Sequence, residues 1–331
     1  MAEIVLGVGT SHSPMLSTPP DQWDLRTKAD RQNGHHSYRG RLYNFEELLR
    51  ERAPGFSHEI DLETKQARQA RCQRALSALT SKLKEANPEA IVIIGNDQHE
   101  LFTSECIPAL SVYRGKQIEN TPFTGPEPSP GIAIGESGNC PPGGAIYPGA
   151  PDLADHIICS LIDDGFDLTQ MSALASGGPR SGIPHAFGFV YHRILGDEVP
   201  PSVPIFLNDF FAPNRPTVPR CLTLGHAIGR AITNWHGVGR VALIASGGLS
   251  HFVIDEELDR TVLSAIAKRS EDALARLPEN LFESGTSEIK NWLVVFAAMS
   301  EAKHVFNLVD YVPCYRSEAG TGNAMAFAYW E

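Results

Sequence analysis

Ile4-Val5-Leu6-Gly7-Val8-Gly9-Thr10-Ser11-His12-Ser13-Pro14 opens the chain, and its reading decides the fold. Ile4 to Val8 is an apolar, largely β-branched run, the pattern of a buried strand. Two glycines loosen the backbone, and Pro14 ends regular structure. His12 therefore falls just past the carboxyl end of a strand. In open α/β sheets ligands bind at that edge, because its loops converge on a crevice. A histidine that only hydrogen-bonds within its own loop has the same signature, so the rest of the chain has to decide.

The same arrangement recurs. Ala90 to Ile94 is a second apolar strand, followed by Gly95-Asn96-Asp97-Gln98-His99-Glu100. Arg240 to Ala245 is a third, followed by Ser246-Gly247-Gly248-Leu249-Ser250-His251. Further strands are expected over 203–207, 305–312 and 323–330. Apolar residues at helical spacing predict helices over 61–87, 152–163, 218–235, 255–277 and 286–303. This alternation predicts an α/β protein whose central sheet, mostly parallel or mixed, is covered by helices on both faces. No linker separates two cores, so residues 1–331 are read as a single catalytic domain. Residues 17–55 are polar and Pro-rich, with one short helix over 43–52. They read as a lid-like N-terminal insert, since compact domains seldom carry so long a loop without a task for it. His35 and His36 lie there and are read as solvated. Residues 113–151 are rich in Gly, Pro, Ser and Asn and read as a loop-rich excursion with short strands, and residues 177–184 are a further segment rich in Gly and Pro.

Composition narrows the function. With 331 residues, 42% hydrophobic and 20% charged, the chain has the balance of a globular protein with a sizeable core. A net charge of −11 argues against binding nucleic acid or an anionic membrane surface. The six cysteines are scattered, with no CxxC pair, which fits neither a disulfide framework nor a zinc-thiolate site. No run of about 18 apolar residues suggests a membrane span, and no basic-then-apolar leader opens the chain. A cytoplasmic location is expected.

His12, His99 and His251 stand at strand ends. His185 follows a glycine-rich loop and His156 lies on a helix. Two histidines with one carboxylate and open positions is the donor pattern of non-haem Fe(II) oxygenases. Neither HExxH nor GxSxG is present, and Gly7-Val8-Gly9 lacks the third glycine of a dinucleotide fingerprint.

Five motifs follow in a set order: Gly9-Thr10-Ser11-His12-Ser13-Pro14, Asn96-Asp97-Gln98-His99, Leu153-Ala154-Asp155-His156-Ile157, Pro184-His185-Ala186-Phe187 and Ser246 to His251. Together with Glu256-Glu257-Leu258-Asp259 and Ala319-Gly320-Thr321-Gly322-Asn323-Ala324, they resemble the class III extradiol ring-cleavage dioxygenases. Within that superfamily, which includes the protocatechuate 4,5-dioxygenase β subunit, the single chain looks most like the 3-O-methylgallate and gallate branch of lignin-derived aromatic catabolism. The resemblance implies Fe(II), O2 and a catecholic aromatic acid as substrate, and a homodimer. It implies His12, His99 and Glu257 as the metal ligands, with His185 as base then acid and His156 as a second polar partner. Gln98 stands where the family often has histidine. His99 is preferred as the ligand because an amide competes poorly with imidazole for Fe(II). Adjacent helical residues point about 100° apart, so only one of Glu256 and Glu257 can face a metal. The Glu-Leu-Asp match favours Glu257. Thr321 and His251 are expected to touch substrate. A zinc-dependent hydrolase on the same ligands and a non-catalytic metal-binding member of the fold are the alternatives.

Overall fold

The computed structural model describes residues 1–123, 131–174, 181–237 and 239–331. Parts of the two Gly- and Pro-rich stretches, 124–130 and 175–180, lie outside the described residues. The strands are β1 (Glu3–Thr10), β2 (His36–Tyr38), β3 (Arg41–Tyr43), β4 (Ala90–Gly95), β5 (Leu110–Tyr113), β6 (Gln117–Asn120), β7 (Ala145–Pro148), β8 (Thr169–Met171), β9 (Ser202–Leu207), β10 (Arg240–Ser246), β11 (His251–Val253), β12 (Phe306–Tyr315) and β13 (Thr321–Trp330). The helices are α1 (Asp24–Gln32), α2 (Phe45–Glu51), α3 (Leu62–Ala86), α4 (Pro151–Asp163), α5 (His185–Phe189), α6 (Val218–Thr233), α7 (Glu256–Ala267), α8 (Glu271–Ala275) and α9 (Ile289–Glu301).

Nine of these strands form one mixed sheet in a single α/β domain, in the order β11-β13-β1-β10-β4-β9-β5-β8, with β12 also on β13. Its centre, β1-β10-β4-β9, is parallel. The side chains of these strands alternate between two cores. Ile4, Val92, Ile94, Leu243 and Ala245 face α4, α6 and α9. Leu6, Val8, Ile91, Ile93 and Ile244 face α3 and α5. Helices on both faces explain why these strands read as continuous apolar runs.

Parallel strands put their carboxyl ends on one edge. Thr10 pairs with Ser246, and Ala245 with Ile94, so the loops that follow β1, β10 and β4 start side by side. The crevice they form is set by this register.

Gly9 allows β1 to approach α9. A Cβ there would lie 2.6–2.8 Å from the Trp292 ring. That ring is fully buried and tied through Nε1 to the Gly247 carbonyl at 2.8 Å, so it has no room to yield. Gly9→Ala is expected to cost ~1–3 kcal/mol, the usual range for overpacking a core. Its urea midpoint should fall accordingly, and an unchanged midpoint would show that the helix can shift.

Four expectations change. The stretch 255–277 is two helices, because Arg269 turns to φ +54° and the chain restarts at α8. The helix expected from 286 begins at Ile289, and a 3-10 turn, Ser284–Glu288, precedes it. Residues 17–55 are structured: they hold α1, the β2-β3 hairpin and α2. His36 there is buried, not solvated. Its Nε2 meets the Asp30 carbonyl at 2.8 Å, which accounts for an imidazole surviving burial. The insert is pinned to the tail of β12. Asp30 forms a buried two-point ion pair with Arg316 at 2.7 and 2.8 Å, and Thr27 Oγ1 donates to the Arg316 carbonyl at 2.7 Å.

Candidate active site

A cavity of about 230 Å³ opens at the carboxyl edge of the parallel strands. His12, Gln98, His185, His251 and Glu288 line it. Each arrives from a different loop or turn, and the β1-β10-β4 register is what makes the three strand-end loops neighbours.

Glu288 lies at its base, 1% exposed. The Gly248 amide donates to its Oε2 at 2.9 Å; Asn96 Nδ2 and Gln98 Nε2 donate to its Oε1 at 3.1 and 3.0 Å. Burial alone would raise its pKa. The His251 and His12 imidazoles, with hydrogen bonds from His251 and Gly248, outweigh this and hold the carboxyl well below its usual range. Asp209, buried nearby, is pushed well above the carboxylate range, first by burial and then by the Glu288 charge.

His12 has an assignable tautomer. Ser246 Oγ donates its one proton to the Ala186 carbonyl at 2.5 Å, so it accepts from His12 Nδ1 at 3.0 Å. Burial lowers the His12 pKa to about 4, with the neighbouring His185 and His251 acting in the same sense, so the ring is neutral. Its Nε2 lone pair then faces Glu288 Oε2 at 3.6 Å. His251 is arranged alike. Its Nδ1 donates to the Leu249 carbonyl at 2.8 Å, and its Nε2 stands 3.5 Å from Glu288 Oε1. Burial works against charge on His251, but Glu288 and the Leu249 carbonyl raise its proton affinity, so a positive charge is favoured between ring and carboxylate.

The neutral His12 Nε2 lone pair and its carboxylate oxygen repel unless a cation lies between them, whereas at His251 a proton bridges the same kind of gap. Two ligands held about 2.0–2.2 Å from one cation are themselves roughly 3–3.6 Å apart. The donor types and both gaps therefore fit a divalent cation. Among the described residues no three His, Cys, Asp or Glu side chains close tightly enough to enclose an ion, so the arrangement is a donor set whose sphere is not closed.

His185 opens α5 beside this set. Its ring stands edge-on to His12 with centroids 4.8 Å apart. Glu100 holds it: Oε2 meets His185 Nδ1 at 2.5 Å, and the same carboxylate takes the His185 amide at 3.1 and 3.2 Å. A carboxylate on Nδ1 fixes the ring and directs Nε2 to proton transfer.

Of the residues singled out from sequence, His12, His185 and His251 meet here. His99, Glu257, His156 and Thr321 do not. His99 adopts φ +62°, which turns it away from the cavity as Gln98 turns in. Its ring stacks on Phe211 at 3.8 Å and its Nδ1 meets the Phe102 carbonyl. Glu257 is 79% exposed and pairs with Arg39 at 2.6 Å. Glu256 accepts from Tyr315 Oη at 2.9 Å, so neither glutamate reaches the cavity. The acids of α7 instead brace the site: Asp259 takes the Ser250 amide and hydroxyl at 2.9 and 2.6 Å, beside His251. His156 Nε2 meets the Ala231 carbonyl at 2.9 Å and ties α4 to α6. Thr321 is fully buried and spends its hydroxyl on Asp30 at 2.6 Å.

Sequence reasoning missed Glu288, Gln98 and Glu100. The chain does carry a signal for Glu288. Glu288-Ile289-Lys290-Asn291 puts three polar side chains at the start of an otherwise apolar helix, and all three are buried.

Comparison with known proteins gives the family. The chain is 29% identical over 180 residues to the 2,3-dihydroxyphenylpropionate/2,3-dihydroxicinnamic acid 1,2-dioxygenase of Comamonas testosteroni. That match covers 54% of this chain and 48% of the relative, so the chain spans about half the length of the curated protein it matches. Residues 53–322 match the family described as the catalytic LigB subunit of aromatic ring-opening dioxygenase, a stretch that includes Gln98, Glu100, His185, His251 and Glu288. The chain belongs to this LigB family of aromatic ring-opening dioxygenases.

Proposed function

We propose that the chain opens the ring of a catecholic aromatic acid with O2 in the extradiol manner, with Fe(II) held by His12, His251 and Glu288. The observation that carries this reading is the pair of imidazole nitrogens aimed at the two oxygens of one buried carboxylate. Two histidines and a carboxylate suit Fe(II) with positions left open. A divalent cation there supplies the charge that draws catechol oxygens and O2 to one place. The chain's own groups do the rest. His185, braced by Glu100, takes a catechol proton and returns it as the ring opens. Met15, Trp23 and Phe252 give the cavity apolar walls, which suit an aromatic ring. Lignin-derived acids such as 3-O-methylgallate and propionate-bearing catechols are the classes to try first.

The test is oxygen consumption by the Fe(II)-reconstituted protein with protocatechuate, gallate, 3-O-methylgallate and 2,3-dihydroxyphenylpropionate. Uptake matched by a yellow ring-opened product is expected. Turnover that persists without O2 would sink the reading and favour a hydrolase.

Gln98 favours a qualification of this reading, in which the cation is held weakly. It occupies the inward position where the resemblance implies a histidine, and it donates to Glu288. Gln98→His adds an imidazole beside the carboxylate and is expected to tighten Fe(II) about 10- to 100-fold, measured by chelator competition. Unchanged affinity would place the cation away from residue 98.

We further propose that residues 17–55 cover the site. Trp23, from this insert, lines the cavity and is 1% exposed. Binding of an aromatic acid should quench tryptophan fluorescence, and Trp23→Phe should remove most of that quenching. Quenching that survives in the variant would reject a covering role for this segment.

A further inference from the structure

We propose that Asp97 is a positioning residue: its carboxylate gathers three successive backbone amides and so sets the turn that carries Glu100 to His185. The inference rests on the ring-opening reading above, in which His185 moves the catechol proton, and adds the residue that holds its brace in place.

Residues 96–109, between β4 and β5, belong to no helix or strand. No ladder or helical turn therefore fixes where Glu100 points. Asp97 supplies that order. It is buried, and its Oδ1 accepts from the Glu100 and Leu101 amides at 3.2 and 2.8 Å. Its Oδ2 accepts from the Phe102 amide at 3.1 Å. Three amides on one short side chain fold the backbone around it, as local side-chain acceptors do where regular structure is missing.

The turn is kept at a cost. His99 holds φ +62°, a left-handed conformation that a residue with a Cβ rarely adopts. Two carboxylates are also brought close together. Burial, and then the Glu100 charge, push the Asp97 carboxyl up to about 6. Both features are unfavourable, and both accompany the return of Glu100 toward His185. Strain kept beside a working group points to a task at the site. The task lies at the far end of Glu100, whose carboxylate takes the His185 amide and meets Nδ1. His185 thus depends on Asp97 through one intervening side chain.

The test starts from the metal-free full chain with isotope-labelled histidine. A short hydrogen bond from Nδ1 to Glu100 gives His185 a proton resonance far downfield, identified by its loss in His185→Ala. It is expected in wild type and absent in Glu100→Gln. Asp97→Asn keeps the shape but sets an NH2 against one of the three amides, so it should remove the same resonance. Oxygen uptake by the Fe(II)-loaded chain is then read with protocatechuate. Asp97→Asn is expected to lower kcat about 10-fold with KM little changed. It should cost nothing further in a Glu100→Gln background, because both changes act through one contact. Asp97→Ser, which keeps a single acceptor oxygen, takes its place if the asparagine variant does not fold. A resonance and kcat like those of wild type in the folded variant, or losses that add in the double variant, would overturn the assignment. Wild-type protein that consumes no oxygen, with the resonance still lost in Asp97→Asn, would overturn the ring-opening reading and leave the positioning of His185 standing.

Discussion

Glu288→Ala is expected to lose nearly all oxygen-consuming activity and to bind Fe(II) between about a hundred- and a thousand-fold more weakly, the range for removing one partner from a buried charge cluster. The reason is local. Glu288 is buried, receives three hydrogen bonds and faces two imidazole nitrogens. Without it His12 and His251 face each other across an uncharged gap. Glu288→Gln keeps the volume and should still fail, because the amide carries no charge and places an NH2 against one of the two nitrogens. The comparison is Glu257→Ala, which removes an exposed partner of Arg39 and should leave both metal content and activity near wild type. Metal analysis after Fe(II) loading, paired with an oxygen electrode, decides the matter. Loss of iron in Glu257→Ala but not in Glu288→Ala would restore the ligand set expected from the sequence resemblance.

The second large effect falls on proton transfer. His185→Ala is expected to lower kcat by roughly 10²- to 10⁴-fold, the usual contribution of a positioned acid-base group, while Fe(II) stays bound. The ring stands edge-on to His12 at 4.8 Å and is held through Nδ1 by Glu100. Glu100→Gln tests the brace. It keeps the shape but weakens the hold on Nδ1, so a smaller loss in kcat and a displaced pH-rate profile are expected. Iron loss in His185→Ala would recast His185 as a metal ligand, and unaltered kcat would remove it from the chemistry.

Much of the architecture was legible in the chain. β1, β4, β9 and β10 read as apolar runs because they are buried on both faces, and such runs carry no ambiguity of phase. α3 lies within one residue of its expected bounds because Asp61 caps its start and Asn87, at φ +42°, ends it. Boundaries moved where the backbone turns on a residue with no compositional mark, as at Arg269. The insert read as loop because its short elements are held by distant partners, Arg316 among them, and not by periodicity of their own.

The amino-acid sequence by itself determined the α/β class and the placement of His12, His185 and His251 at the ends of strands and helices. These follow from runs of apolar residues and the polar breaks after them, which are local properties. Which groups share the cavity was decided only by tertiary structure. Gln98 and His99 are adjacent, and a single left-handed residue sends one inward and the other onto Phe211. Glu257 lies six residues from His251 and never approaches His12, whereas Glu288, thirty-seven residues on, lies between the two imidazoles. Proximity along a chain says little about proximity across a sheet edge. Parallel register aligns the loops after β1, β4 and β10, and the packing of α9 against β1, close enough to demand Gly9, brings in the carboxylate that completes the set.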